Sequence, residues 1–239
     1  MKFPAYFELE GLKFSLPSFT LLAGPMAAAK PLFAQKFIAN FLNKIEGANV
    51  FYLATSAPIE GILRNLQVFG LNEERRNITF FDYDPAVKEL REEEDNYYKG
   101  DYSNPKILNQ ILDLANENAV IVIPSFTLLL VNAEKKEELA ETLLEAFKNK
   151  KLILFVAVNS EMFQDLNGKL IGVSDNFLEF FKKGKEIFIK VVKFKGKYDK
   201  EEKEFRFKKE IFTTTKKEVV EKTSNVIKKK KAEKIKPLQ

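Results

Sequence analysis

Two kinds of hydrophobic pattern follow one another along this chain. Up to about residue 160, short and almost wholly apolar runs alternate with longer segments in which apolar residues recur every three or four positions. The short runs are typical of strands buried on both faces, and the longer period is typical of helices with one buried face. The pattern therefore predicts an α/β fold in three layers, with helices on both faces of a mainly parallel sheet.

The predicted elements begin with a β-hairpin over residues 3–16, where apolar and polar positions alternate around Gly11. Buried strands are predicted at residues 19–23, 49–55, 77–83, 119–123 and 152–158. The helices between them are predicted at residues 30–43, 58–70, 105–116 and 134–149. Residues 84–104 are rich in Asp, Glu, Tyr and Asn without a clean period, so we expect a short helix followed by an exposed loop.

The pattern changes after Ser160, where antiparallel strands are expected to extend the sheet. These strands are predicted at residues 176–181, 186–195 and 204–212, with turns at residues 182–185 and 196–202. Together with the elements before them they predict one domain over residues 1–215.

Positive charge is concentrated at the C-terminus. The chain has a net charge of +5, and residues 216–239 hold nine Lys and three Glu, a net charge of +6, which leaves −1 for residues 1–215. This basic tail has few apolar residues to bury, so we expect it to be flexible. Its run Lys228, Lys229, Lys230 and Lys231 suits nonspecific contact with nucleic-acid phosphates, and a purely solubilising role explains it equally well.

The composition excludes several kinds of chemistry. Without Cys the chain has no disulfide or thiolate, and without His it lacks the usual general base and metal ligand. No apolar run reaches the ~18 residues of a transmembrane helix, and no secretory signal is recognised, so we expect a cytoplasmic protein. Abundant Lys, Glu, Ile and Phe beside the absence of Cys, His and Trp point to a thermophilic, archaeal-like source.

Residues 19–31 predict a strand, a tight loop that opens at Gly24, and a helix. This is the layout of the phosphate-binding loop G-x-x-x-x-G-K-[ST]. Gly24 and Lys30 stand at its first and seventh positions, whereas Ala29 replaces the second glycine and Pro31 replaces the hydroxyl residue. The Ala29 methyl group crowds the approach of backbone N–H groups to a phosphate. Pro31 has neither an N–H nor the hydroxyl that would bind Mg²⁺.

Four segments, in the same order, resemble the KaiC-like branch of the RecA-type ATPases. They are residues 19–30, 49–55, 119–130 and 191–196, the last reading Val-Val-Lys-Phe-Lys-Gly. The family reads roughly "sFtLLsGpPGsGKTtfa", "nvlYvttEE", "vvIDSlt" and "KmRG" at these places. The resemblance extends from residue 18 to about residue 196 and implies a RecA-like core sheet. It also implies a homo-oligomer or an assembly with a related RecA-fold protein, because the family often forms rings with nucleotide at subunit boundaries.

The departures from the family pattern fall on the positions that hold magnesium and water. Pro124, followed by Ser125, stands at the Walker B aspartate and has no side-chain oxygen to hold Mg²⁺ through water. Ser56 and Ala57 stand at the acidic pair, one of which positions the attacking water. We therefore expect no catalytic residue, no metal site and no cofactor, with binding of ATP and Mg²⁺ as the alternative.

The family's late Lys/Arg pair, which reaches toward a neighbour's nucleotide, is matched by Lys193 and Lys195. Lysine at the second position keeps the charge and loses the bidentate fork of arginine. Asp82 and Asp84, at the end of a predicted strand, could hold a metal or form a turn with the following Pro. Ser125 is expected to cap the segment that follows it.

Three hypotheses for function remain. The leading one is a non-catalytic KaiC-like protein, a pseudo-ATPase that serves as a subunit, scaffold or regulator. The second is a weak ATP-binding enzyme or switch in which Lys30 binds phosphate; otherwise Lys30 is expected to be a solvated residue in a helix's first turn. The third is a nucleic-acid-binding module that uses the basic tail and a Lys- and Phe-rich sheet surface around Phe180, Phe181, Phe205 and Phe207. A sheet face covered by a neighbouring subunit is the more ordinary explanation of these rings.

Overall fold

The computed structural model describes residues 3–115, 119–207 and 210–211 of the chain. The strands are β1 (Tyr6–Leu9), β2 (Leu12–Ser15), β3 (Phe19–Gly24), β4 (Asn49–Ala54), β5 (Ile78–Tyr83), β6 (Arg91–Glu94), β7 (Tyr97–Gly100), β8 (Ala119–Ile123), β9 (Ile153–Asn159), β10 (Asn176–Lys183), β11 (Glu186–Lys193), β12 (Gly196–Tyr198) and β13 (Glu202–Glu204). The helices are α1 (Lys30–Lys44), α2 (Ile59–Val68), α3 (Pro105–Leu114), α4 (Phe126–Asn132), α5 (Lys136–Asn149) and α6 (Gln164–Val173).

A ten-stranded sheet forms the centre of the fold, in the order β13-β11-β10-β3-β9-β8-β4-β5-β7-β6. The pairs from β10 to β7 are parallel, and the outer pairs at both ends are antiparallel. Strands β1, β2 and β12 form a second, small antiparallel sheet. The predicted α/β class and the mainly parallel sheet are confirmed.

Apolar side chains alternate between two cores on the opposite faces of the central sheet. On β3, Leu22 belongs to the core that contains Phe33 of α1, whereas Leu21 belongs to the core that contains Ile111 of α3 and Leu143 of α5. Because each inner strand is covered on both faces, both sets of side chains are apolar and the strand reads as one continuous apolar run. This is the physical reason that the inner strands were predictable.

The edge of the sheet formed by β6 and β7 differs from the prediction of a short helix and a loop at residues 84–104. Strand β6 pairs with β7 through its backbone, and all four of its side chains, Arg-Glu-Glu-Glu, are exposed. A charged edge strand carries no apolar alternation, because neither of its faces packs against a core. The period-based prediction was therefore wrong here.

Three further departures concern short elements. The predicted strand at residues 204–212 is replaced by β13, which ends at Glu204, and residue 212 lies outside the described residues. The predicted turn at residues 196–202 contains β12, which pairs with β2. Helices α4 and α6 were not predicted. The sequence of α4, Phe-Thr-Leu-Leu-Leu-Val-Asn, shows no helical period because five of its seven residues are buried.

The basic tail, residues 216–239 with Lys228, Lys229, Lys230 and Lys231, lies outside the described residues, and its predicted flexibility stays a prediction. Within residues 3–115, 119–207 and 210–211, no helix is both long enough and apolar enough to cross a membrane. The longest of them, α1, has 15 residues, whereas a spanning helix needs about 20.

Candidate functional site

The loop of residues 25–29 joins the carboxyl end of β3 to the N-terminus of α1. Ala27 and Ala29 both lie in the left-handed region, at φ 56°. An L-residue there costs roughly 1–2 kcal/mol relative to its ordinary conformations, which glycine avoids. The backbone N–H groups of Leu32 and Phe33 donate to the carbonyl oxygen of Ala29 and close the first turn of α1. The loop thus keeps a glycine-type conformation at Ala29 while carrying a methyl group there.

Lys30 folds back onto the loop that precedes it. Its Nζ donates to the carbonyl oxygens of Gly24 at 2.7 Å and Pro25 at 2.6 Å, and the residue is 8% exposed. The expectation of a solvated lysine is therefore wrong. Two of the three N–H donors of the ammonium group are satisfied inside the loop, so the side chain holds the loop closed on itself.

Burial lowers the pKa of Lys30 from 10.5 to about 8, and the negative charge of Glu161 opposes part of that shift. Burial has this sign because it disfavours the charged form of a lysine. The neutral amine still has two N–H groups, which is enough to bond both loop carbonyls. The loop contacts therefore survive when Lys30 loses its proton.

This pKa shift predicts that the difference in the free energy of unfolding between the wild type and Lys30→Met depends on pH. Between the folded pKa of about 8 and the unfolded value of 10.5, the unfolded chain holds the Lys30 proton and the folded chain releases it. The free energy of unfolding therefore rises with pH between these two pKa values. Below the folded pKa, the folded chain carries the full cost of burying the charged Lys30 side chain. From pH 7 to pH 10 the free energy of unfolding of the wild type should rise by about 2–3 kcal/mol relative to Lys30→Met.

Urea unfolding at several pH values measures this difference. Lys148→Met, which changes an exposed lysine of α5, is the matched control and should show a constant difference from the wild type. A constant difference for Lys30→Met as well would contradict the burial of the Lys30 charge.

A cavity of about 470 Å³ opens beside this loop. It brings together the positions that the sequence singled out on three separate segments: Ala29, Lys30, Pro31, Ser56, Ala57, Pro124 and Ser125. Further walls come from apolar side chains, among them Ile62, Leu128, Val158 and Ile187. Among the described residues that line it there is no aspartate or glutamate, although one would be needed to hold Mg²⁺ through water.

Buried amide and hydroxyl groups at the cavity were missed by the sequence reasoning. Gln35 Nε2 donates to the Tyr52 hydroxyl at 2.9 Å, and Asn65 Nδ2 donates to Gln35 Oε1 at 3.0 Å. Burial raises the pKa of Tyr52 well above its ordinary value, so this hydroxyl stays protonated. A usable signal was present, because Gln35 lies between Phe33 and Phe37 in a part of α1 whose buried residues are mostly apolar.

Asn159, at the end of β9, is a second missed residue. Its backbone N–H donates to Thr127 Oγ1 at 2.8 Å, and its Oδ1 accepts from the Glu161 N–H at 2.8 Å. Its side-chain Nδ2 is buried without a hydrogen-bond partner, although the residue lines the cavity and is 6% exposed. A buried donor without a partner is uncommon and calls for an explanation.

Two further sequence expectations concern polar residues at strand ends. Ser125 precedes α4, but its side chain makes no capping hydrogen bond, so the expected cap is absent. Asp84 Oδ1 accepts from the Ala86 N–H at 2.9 Å, which is the turn contact that was the alternative to a metal. Asp84 Oδ2 lies 3.1 Å from Lys99 Nζ. In the described part of the chain no group of three or more acidic side chains could hold a metal ion.

Lys193 and Lys195 lie near the amino end of β10. Lys30 lies at the other end of the parallel strands, after the carboxyl end of β3. Lys193 Nζ donates to the carbonyl oxygens of Ile171 at 3.4 Å and Gly172 at 3.3 Å. Lys195 Nζ lies 3.3 Å from Asp175 Oδ1. Both side chains are exposed, and their proposed contact with a neighbouring subunit stays a prediction.

The aromatic surface proposed for nucleic acid is only partly a surface. Phe180 is fully buried and Phe205 is 3% exposed, so neither ring can stack on a base. Phe207 is 37% exposed, and Phe181 is half-buried with its ring stacked 5.8 Å from that of Phe188. The expectation of a four-ring stacking surface is therefore wrong, because two of the rings belong to the core.

No protein-family model matches this sequence, and no curated protein matches it either. Solved structures do match. The flagellar accessory protein FlaH from Methanocaldococcus jannaschii is similar at a TM-score of 0.63 and 14% identity, over 89% of this chain and 98% of that one. A KaiC-like protein from the hyperthermophilic archaeon Pyrococcus horikoshii is similar at a TM-score of 0.57 and 16% identity, over 81% of this chain and 87% of that one. These likenesses confirm the predicted RecA-like fold.

Proposed function

We propose that this chain, which has the RecA-like fold of KaiC-like proteins, is a non-catalytic pseudo-ATPase that acts as a subunit, scaffold or regulator of an assembly. The observation that carries the proposal is the way in which Lys30 is bonded. Its ammonium group is bonded to two carbonyls of its own loop, beside a cavity whose described lining has no carboxylate. Phosphoryl transfer depends on positioning and on electrostatic stabilisation by metal and cations.

The other positions at the cavity support the same conclusion. Pro31 and Pro124 supply no side-chain oxygen where the ATPases that this chain resembles have a hydroxyl and an aspartate. Ser56 and Ala57 supply no carboxylate to orient an attacking water. The site therefore keeps the shape of a nucleotide loop without the groups that would hold magnesium and activate water.

A role within an assembly is supported by the likeness in fold to the flagellar accessory protein FlaH, over 89% of this chain and 98% of that one.

Isothermal titration with Mg-ATP, combined with a phosphate-release assay, tests the proposal. We expect no release of phosphate above the rate without protein, and no binding that depends on Mg²⁺. Micromolar binding with steady turnover would refute the pseudo-ATPase. Binding without turnover that Lys30→Ala abolishes would instead favour a nucleotide-dependent switch.

A further inference from the structure

We propose that the cavity beside Lys30 binds an apolar molecule that carries a single anionic head group, such as a carboxylate or sulfonate. The inference rests on the proposed function, because the same cavity would otherwise hold magnesium triphosphate. Four observations carry it: the size of the cavity, its apolar walls, a buried lysine donor, and a buried amide without a partner.

The cavity has the size and lining of a small-molecule site. Its volume of about 470 Å³ lies within the range of roughly 300–1,000 Å³ typical of ligand pockets. Its walls include Ala57, Pro124, Leu128 and Ile187, none of which can bond a polar group through its side chain. An apolar body gains free energy by leaving water for such walls.

Lys30 supplies a cation for the head group. A lysine ammonium has three N–H donors. Two of those of Lys30 are donated to the carbonyl oxygens of Gly24 and Pro25. One donor is left for a ligand. A buried cation favours an anion nearby, because an opposite charge offsets the cost of its burial.

Asn159 supplies a second donor at the same cavity. Strands β3 and β9 place Gly24 opposite Asn159, and Lys30 Nζ lies 2.7 Å from the Gly24 carbonyl oxygen. Asn159 Nδ2 has no hydrogen-bond partner, although its Oδ1 accepts from the Glu161 N–H. One small anionic group held between the two donors would satisfy both. A triphosphate would bring several negative charges to a site with one cation and no magnesium ligand.

Two fluorescent probes with the same aromatic body test the head-group preference. One is 8-anilinonaphthalene-1-sulfonate, and the other is N-phenyl-1-naphthylamine, which lacks the sulfonate. We expect the full chain to bind both at one saturable site and to bind the sulfonate at least tenfold more tightly. Decanoate should displace the sulfonate, whereas decanol at the same concentration should not.

Three variants locate the binding. Asn159→Asp keeps the acceptor for the Glu161 N–H and replaces the amide donor by a negative oxygen, so it should weaken sulfonate binding at least tenfold and change the neutral probe less than twofold. Lys30→Met should have the same selective effect. Ala57→Phe fills the cavity and should abolish binding of both probes.

Lys148→Met changes an exposed lysine that does not line the cavity, so it is the control and should leave both affinities unchanged. Equal affinities for the two probes in the wild type would overturn the inference, and so would binding that Ala57→Phe leaves intact. If Asn159→Asp does not fold, as judged by circular dichroism, Lys30→Met decides the head-group question. Turnover of Mg-ATP would refute the proposed function, whereas equal probe affinities without turnover would refute only this inference.

Discussion

Phe37→Ala is expected to lower the free energy of unfolding by about 3–5 kcal/mol, the largest effect of any change considered for this chain. Phe37 is fully buried, and its ring centroid lies 4.9 Å from that of Phe7, 5.4 Å from that of Phe14 and 4.5 Å from that of Phe155. The ring thus joins α1 to the N-terminal hairpin and to β9. Its removal leaves a cavity between three elements that cannot all move inward.

Urea unfolding followed by circular dichroism measures this loss. Leu114→Ala is the control, because Leu114 is 49% exposed and loses little apolar contact when it is truncated. We expect a change of less than about 1 kcal/mol for it. A loss of similar size for both variants would contradict the placement of Phe37 at the centre of this core.

Gly24→Ala is expected to lower the free energy of unfolding by about 3 kcal/mol, at the upper end of the usual cost of overpacking. A Cβ added at Gly24 would lie 2.2 Å from the carbonyl oxygen of Phe180, which belongs to the backbone of the neighbouring strand β10. The clash cannot be relieved by a side-chain rotation. The first glycine of the loop motif is therefore required by the sheet itself, whether or not a phosphate binds.

The matched control is Gly168→Ala in α6, where an added Cβ meets no atom within 4 Å. Alanine favours a helix over glycine, so this variant should be neutral or more stable by up to about 1 kcal/mol. Differential scanning calorimetry on both variants compares them directly. A neutral Gly24→Ala would show that β3 and β10 can separate locally, and the structural account of Gly24 would fail.

The loop motif shows which structural features a local sequence pattern can predict and which it cannot. Its strand, turn and helix were predicted from residues 19–31, since each element carries its own apolar period. The motif also predicted that Lys30 is either solvated or a phosphate ligand, and the structure shows it bonded to Gly24 and Pro25. Which partner a long side chain takes depends on what lies around it in space, and the motif has no information on that.

The sequence by itself determined the order of the inner strands and helices along the chain, the mainly parallel sheet, and the absence of a hydroxyl group at residue 31 and of carboxylates at residues 56, 57 and 124. These are properties of single residues or of short periods, so no distant contact is needed to recognise them. Only the tertiary structure decided that β6 is a strand, that Lys30 is buried, and that Asn159 and Gln35 reach the same cavity. Those features depend on packing in three dimensions: β6 is held by its backbone pairing with β7, and Lys30 and Gln35 of α1 meet Asn159, which lies more than a hundred residues further along the chain, at one cavity.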